Sequence, residues 1–294
     1  MLRRPFGNTG LEVPALGFGA MQAGDPRLPE AAVARLLNHA LDLGLALVDT
    51  ARSYGLSEER IGRHLARRRD EFVLSTKVGY GVDGVADWTF DCVVAGVDAA
   101  RDRLRTDVVD IVHLHSCGLD VLEAGEVARA LAHCAAAGRL RVAAYSGDGA
   151  ALRHAVLCGE FGAVQASVNL CDQAALRTLA EAQACGLGTI AKRPLCGQPW
   201  RAHGPPDDGV HADYWRRFAQ LRPALGFEAD DWESLALRFA AWAPGVDCVI
   251  VGGTDPRHLE RNASAVAAGP PDALQCDAIR RAFGQVGAQW QGRV

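Results

Sequence analysis

A closed (β/α)8 barrel is the fold this sequence predicts, on three observations. Eight short apolar runs rich in Val, Leu and Ile recur along the 294 residues, and amphipathic segments of helical period and length separate them. No Gly-x-Gly-x-x-Gly follows the first run, which weakens the doubly wound open sheet, the other fold that strand and helix alternation allows.

Before the first barrel strand, the segment from Phe6 to Val13 places turn residues between two extended pieces and reads as a hairpin closing the barrel floor. The strands then fall at 16–18, 45–48, 72–75, 108–114, 140–145, 163–167, 187–191 and 247–251. Each is a β-branched or leucine-rich run too short for a helix. Between them, 29–43, 57–69, 91–104, 122–137, 152–158, 174–185 and 232–242 have the spacing of amphipathic helices. One connection is too long for a turn. From Gln198 to Asp231 it holds Pro199, Trp200, the cluster Pro205-Pro206-Asp207-Asp208-Gly209, and Tyr214-Trp215. Following the seventh strand, it is expected as a functional loop overhanging the catalytic face.

One domain spanning 1–294 accounts for the whole pattern, and the length buries a large core. The formal net charge of −4 is spread rather than blocked, which favours small-molecule partners over nucleic acid or a membrane surface. Basic residues near Met1 lead into turn residues instead of an apolar targeting segment. The nine cysteines form no Cys-x-x-Cys pair and fit reduced thiols in a cytoplasm.

Three strand ends then offer polar groups that would converge at the barrel mouth: Asp49 followed by Tyr54, then Lys77, then His113 and His115. Singly each has a plain reading: a turn-capping Asp, a packing Tyr, a solvated Lys. Together they suit reduction of a carbonyl. Tyr54 would give a proton to the oxygen as hydride reaches the carbon. Phenols ordinarily titrate near pH 10, so a neighbouring ammonium is required near neutrality, the place for Lys77, with Asp49 keeping it charged. His115 would hydrogen-bond the carbonyl oxygen. His113 points the same way one layer lower and is expected to be a core histidine.

The sequence resembles the aldo-keto reductase family. The resemblance runs from Phe6-Gly7-Asn8-Thr9-Gly10-Leu11-Glu12-Val13 through Asp49-Thr50-Ala51, Tyr54-Gly55, Ser75-Thr76-Lys77-Val78-Gly79 and Asp110-Ile111-Val112-His113-Leu114-His115. It implies a catalytic tetrad of Asp49, Tyr54, Lys77 and His115 and an NAD(P)-dependent oxidoreductase interconverting an aldehyde, ketone or sugar with its alcohol. It also implies a cofactor site, NADPH favoured and NADH possible, drawn from Gly19, Met21, Ser146, Gln165, Lys192, Pro194, Leu195, Gly252, Gly253, Thr254, Arg257, His258, Arg261 and Asn262, with no metal. Three positions depart from the family pattern. Gly147 stands where Asn is usual, Lys192 where an aromatic stacks on nicotinamide, and Gly252 where a Lys meets the 2′-phosphate, leaving Arg257 and Arg261 as guanidinium donors. The segment from Gly252 through Asp255-Pro256 reads as a glycine approach and a helix start suited to an anion. Trp88, Ser116, Cys117, Trp200, Tyr214 and Trp215 are candidate pocket walls, and Cys117 and Cys196 are candidate accessible thiols. Two other readings compete: a metal-dependent barrel hydrolase built on His113, His115 and Asp49, and a non-catalytic cofactor-sensing subunit of the same family.

Overall fold

The computed structural model describes residues 1–207 and 209–293; Asp208, in the long connection, and Val294 lie outside them. The hairpin comes first, as β1 (Arg3–Pro5) and β2 (Glu12–Pro14), antiparallel with Arg4 opposite Val13. Then follow β3 (Leu16–Gly19), α1 (Glu30–Asp42), β4 (Leu47–Asp49), α2 (Ser57–Leu65), β5 (Val73–Val78), α3 (Phe90–Leu104) and β6 (Val109–His115). Next come α4 (Leu119–Glu123), α5 (Glu126–Ala136), β7 (Leu140–Ser146), α6 (Gly149–Leu157), β8 (Ala163–Ser167), α7 (Leu176–Ala184) and β9 (Gly188–Lys192). The chain ends with α8 (Gly209–Ala224), α9 (Trp232–Ala241), β10 (Cys248–Val251), α10 (Pro256–Ala267) and α11 (Ala273–Val286). Strands β3 to β10 form a closed parallel barrel, with β10 pairing both β9 and β3. The (β/α)8 expectation is met.

Alternation along each strand separates two layers. Val112 and Leu114 of β6 face out into the core shared with the helices, whereas Ile111 joins Leu47, Val73, Val142, Ile190 and Ile250 inside the barrel. Phe6 and Val13 of the hairpin belong to that inner cluster and are fully buried, so the hairpin does close the floor. Burying Phe6 contributes about 1.5–3 kcal/mol. With the lower barrel filled by apolar side chains, polar inward positions collect at the strands' C-terminal ends.

Three segments differ from their sequence expectation. The helix expected over 57–69 ends at Leu65 and continues as 3-10 turns, with Arg68 leaving helical geometry at φ −115, ψ 18. Arg69 there ties the turn to the barrel, its guanidinium 2.6 Å from Asp110. The helix expected over 122–137 is interrupted by Gly125 at φ 68 and becomes α4 and α5. The long connection is not an irregular loop. After a 3-10 turn at Pro199–Arg201 it contains α8, which buries Tyr214, Phe218 and Leu221 at helical spacing. Trp200, Phe218 and Trp232 pack with α9 and α11 in a second cluster, with centroids 5.8 Å apart for Trp200–Phe218 and 5.1 Å for Phe218–Trp232. The proline and glycine cluster marks the approach to a helix, and α11 was absent from the sequence expectation altogether. Among the described residues, no helix is long and apolar enough to cross a membrane.

Candidate active site

Register brings the inward strand ends together. Asp49 lies opposite Ser75, Lys77 opposite His113, His115 opposite Ser146, Ser146 opposite Gln165 and Ser167 opposite Lys192. Tyr54 arrives on the loop after β4, which is tied to the loop after β3. Thr50 donates to Ser57 Oγ at 2.7 Å, Ser57 Oγ to the Ala20 carbonyl at 2.8 Å, and Leu56 N to the Gly24 carbonyl at 3.0 Å. The buried Arg60 guanidinium holds the other side of that loop through the carbonyls of Ala23, Asp25 and Leu28.

Asp49 is the hub. Its Oδ2 receives Lys77 Nζ at 2.5 Å, and its Oδ1 receives Ser75 Oγ at 2.8 Å and Gln165 Nε2 at 3.1 Å. Lys77 also donates to the Thr50 carbonyl at 2.9 Å. Burial alone would neutralise both groups, but their mutual attraction and these hydrogen bonds win: Asp49 is held below the ordinary carboxylate range and Lys77 above the ordinary amine range. The Lys77 ammonium lies 5.2 Å from the Tyr54 ring centroid, and the Tyr54 ring meets that of His115 edge to face at 5.9 Å. The four expected residues therefore share one site. His113 is buried below, with Nε2 3.1 Å from Ser75 Oγ, the core position expected for it.

His115 has a partner that sequence reasoning missed. Tyr80 stacks on its ring at 5.5 Å and 26°, with the Tyr80 hydroxyl 3.1 Å from Nδ1 and 3.2 Å from Ser53 Oγ. Burial, then the positive charge of Lys77, depresses His115 to about 3, so a neutral imidazole faces the cleft. With the Tyr80 hydrogen on Ser53 Oγ, Nδ1–H donates to Tyr80; with that hydrogen turned onto Nδ1 and Ser53 donating to Tyr80, the Nε2 hydrogen is left as a donor toward the cleft. Tyr80 lies three residues beyond Lys77, outside any strand, and no periodicity marked it.

The cleft above these residues has a volume of about 380 Å³. The tetrad lines it together with Gly19, Met21, Ser146, Gln165, Lys192, Pro194, Leu195 and Gly252. Gly253, Thr254, Arg257, His258, Arg261 and Asn262 do not line it; they continue from the end of β10 into α10, whose Asp255 cap accepts from Arg257 N at 2.9 Å. The Arg257 guanidinium folds back onto Asp255 at 2.8 Å, while Arg261 is exposed and Asn262 buried. Of the candidate walls, Ser116, Tyr214 and Cys196 line the cleft, joined by Gln198 and His211 from the long connection. Trp88 instead packs on Tyr80, Trp200 joins the second cluster, Trp215 donates to the Ala202 carbonyl, and Cys117 is buried in the core between barrel and helices. Cys196 is buried as well, so neither is an accessible thiol. Strain gathers here. Among the described residues Ser116, Arg193, Cys196 and Gln198 line the cleft at positive φ of 67, 59, 42 and 56°.

Packing explains two of the family departures. A Cβ on Gly147 would lie 2.2 Å from the hydroxyl of Tyr145, which is buried and donates to the Cys117 carbonyl, so Asn has no room there. A Cβ on Gly252 would lie 2.7 Å from the Gly19 carbonyl and 2.2 Å from the Gln22 side chain, which excludes a lysine. Lys192 is different. It lines the cleft and reaches Asp148 behind it, Nζ to Oδ2 3.6 Å.

A nicotinamide fits the remaining donors. Ser146 Oγ donates to Gln165 Oε1 at 2.9 Å, so the serine oxygen still accepts and the Gln165 amide retains a second hydrogen for a carboxamide. Among the described residues, no group of three or more His, Cys, Asp or Glu side chains is placed to hold a metal ion.

Comparison with known proteins agrees with this geometry. The chain is 28% identical over 280 residues to L-galactose dehydrogenase of Arabidopsis thaliana, covering 90% of this chain and 87% of that protein. It is 28% identical over 306 residues to D-threo-aldose 1-dehydrogenase of a Pseudomonas species, covering 90% of this chain and 93% of that protein. The holo form of an aldo-keto reductase from Bacillus halodurans shares the fold at a TM-score of 0.83 and 24% identity, over 96% of each chain. The model of the Aldo/keto reductase family matches residues 15–282, and with a closed barrel carrying Asp49, Tyr54, Lys77 and His115 at one mouth, the chain belongs to that family of nicotinamide-dependent oxidoreductases.

Proposed function

We propose that the protein interconverts the carbonyl group of a small sugar or related aldehyde or ketone with the corresponding alcohol, using NADPH in preference to NADH. The observation that carries this reading is the convergence of Tyr54 and His115 over the buried Asp49–Lys77 pair. When bound, the cofactor supplies or accepts hydride. Tyr54 passes a proton to the carbonyl oxygen, and Lys77, kept ionised by Asp49, stabilises the phenolate left behind. Neutral His115, oriented by Tyr80, donates from Nε2 to the same oxygen as negative charge develops, in the tautomer whose Nδ1 accepts from Tyr80 while Ser53 donates to Tyr80. Ser146 and Gln165 hold the carboxamide, and because Gln165 also donates to Asp49, cofactor seating and the proton donor share one hydrogen-bond network. The N-terminal end of α10 would receive the pyrophosphate, and Arg261 and Arg257, the latter in an exposed and therefore weak pair with Asp255, are the guanidinium groups that would be offered to a 2′-phosphate. The sugar assignment draws on the two relatives that act on sugars.

The test is cofactor binding by fluorescence quenching, followed by nicotinamide absorbance with a panel of aldoses and small aldehydes. Tyr54→Phe is expected to retain cofactor affinity while turnover falls on the order of 10²–10⁴-fold. Unchanged turnover would remove Tyr54 as the acid.

A further inference from the structure

A lysine of the cleft wall, Lys192, belongs to a second carboxylate–ammonium pair that the proposed chemistry does not use; its partner Asp148 lies behind the wall. Lys192 ends β9 and lines the barrel mouth, and Asp148 follows β7; both are largely buried, Nζ and Oδ2 are 3.6 Å apart, and among the described residues Oδ2 has no hydrogen-bond partner. The chain's last described residues close over the carboxylate. A Cβ on Gly292 would lie 2.9 Å from Asp148 Cβ, and the Arg293 carbonyl accepts from Ser167 Oγ at 2.6 Å and from the Arg193 guanidinium at 2.7 Å. The other charged or titratable groups acting on the pair are Lys77 of β5, His113 and His115 of β6, Asp172 after β8 and Arg193 after β9.

Any nicotinamide seated by Ser146 and Gln165 shares this poorly solvated cleft with the Lys192 ammonium. The oxidised ring carries a positive charge and the reduced ring none, so a fixed cation in the same cavity acts on one form only. We propose that Lys192 discriminates between the redox states of the cofactor, weakening binding of the oxidised form relative to the reduced form, with Asp148 setting the strength of the effect. This rests on the cofactor reading above and assigns a use to the one departure that packing leaves unexplained. It favours loading with reduced cofactor, and by the same linkage it makes hydride loss from the bound ring less favourable.

The pair titrates within an accessible range. Burial outweighs the attraction to Asp148 and brings Lys192 down to about 8, and burial likewise raises Asp148 to about 6. Its net charge passes from positive below about pH 6, through zero, to negative above about pH 8. Over that interval His113 and His115, depressed to about 3, stay neutral, and Lys77 stays charged. A 2′-phosphate titrating in the same window is common to both redox forms and cancels in the ratio of their dissociation constants.

The measurement is that ratio, oxidised over reduced, by fluorescence or calorimetry on the full chain between about pH 6 and 9. In the wild type it is expected to fall on the order of tenfold as pH rises. Lys192→Met should lower it at pH 6 and remove the step near pH 8. Lys192→Arg, which keeps the charge, should keep the ratio high and also lose that step, so the inference stays open to refutation if the Met variant does not fold. A ratio and pH course unchanged by either substitution, with both forms still binding, overturns the role of Lys192 and leaves the cofactor reading standing. Wild-type protein that binds neither form overturns both.

Discussion

Asp49–Lys77 and Asp148–Lys192 place the same two residue types at the same barrel mouth, in both cases buried. Asp49 accepts three side-chain hydrogen bonds and meets its lysine at 2.5 Å, so attraction overcomes desolvation and the pair stays ionised. Asp148 meets its lysine at 3.6 Å and, among the described residues, accepts only Ser167 N, at 3.3 Å, on its other oxygen. Desolvation wins there, and both partners move toward neutrality. Hydrogen-bond satisfaction, not depth of burial, separates a fixed charge from a titrating one.

Breaking the first pair should have the largest effect. Lys77→Met leaves an uncompensated carboxylate and is expected to destabilise the fold by about 3–5 kcal/mol, read from denaturant midpoints, along with loss of turnover. An equal loss from Lys192→Met would erase the distinction between the pairs. Asp148→Asn sharpens it through pH. Because Asp148 rises from 3.8 to about 6 on folding, the folded state binds more protons in that window and wild-type stability falls as pH rises through it. The Asn variant should therefore gain on the wild type by up to about 3 kcal/mol between about pH 4 and 6, as a two-unit shift allows. Asp49, lowered on folding, has the opposite sign: its contribution is present above the ordinary carboxylate value and disappears as pH falls through its folded value. A flat stability difference for Asp148→Asn across that window would contradict the assignment. The smallest effect belongs to Tyr80→Phe. Losing the 3.1 Å partner of His115 removes about 1 kcal/mol of orientation, expected as roughly fivefold lower kcat with KM little changed.

The barrel was legible because short apolar runs and the helix-length spacing between them are local properties, and the four candidate residues could be picked out because each stands at or just after a strand end. Less of the upper face could be read. The segment from Gln198 looked like a loop because prolines and glycine dominate its start, whereas Tyr214, Phe218 and Leu221 form a helix face that declares itself only against Trp200 and Trp232. Tyr80 was invisible for a related reason. Its role depends on His115, 35 residues away, standing within hydrogen-bond reach. Arg257 suits a phosphate by type, and its pairing with the Asp255 cap two residues earlier shows only in the folded chain.

By itself, then, the sequence determined the barrel, the hairpin floor, the four candidate residues for proton transfer and the places where the family pattern changes. These follow from residue type and spacing along the chain. Only the tertiary structure decided which charges are fixed, which titrate, and why Gly147 and Gly252 must be glycine. Those properties depend on distances between segments that the chain brings together only when the barrel closes.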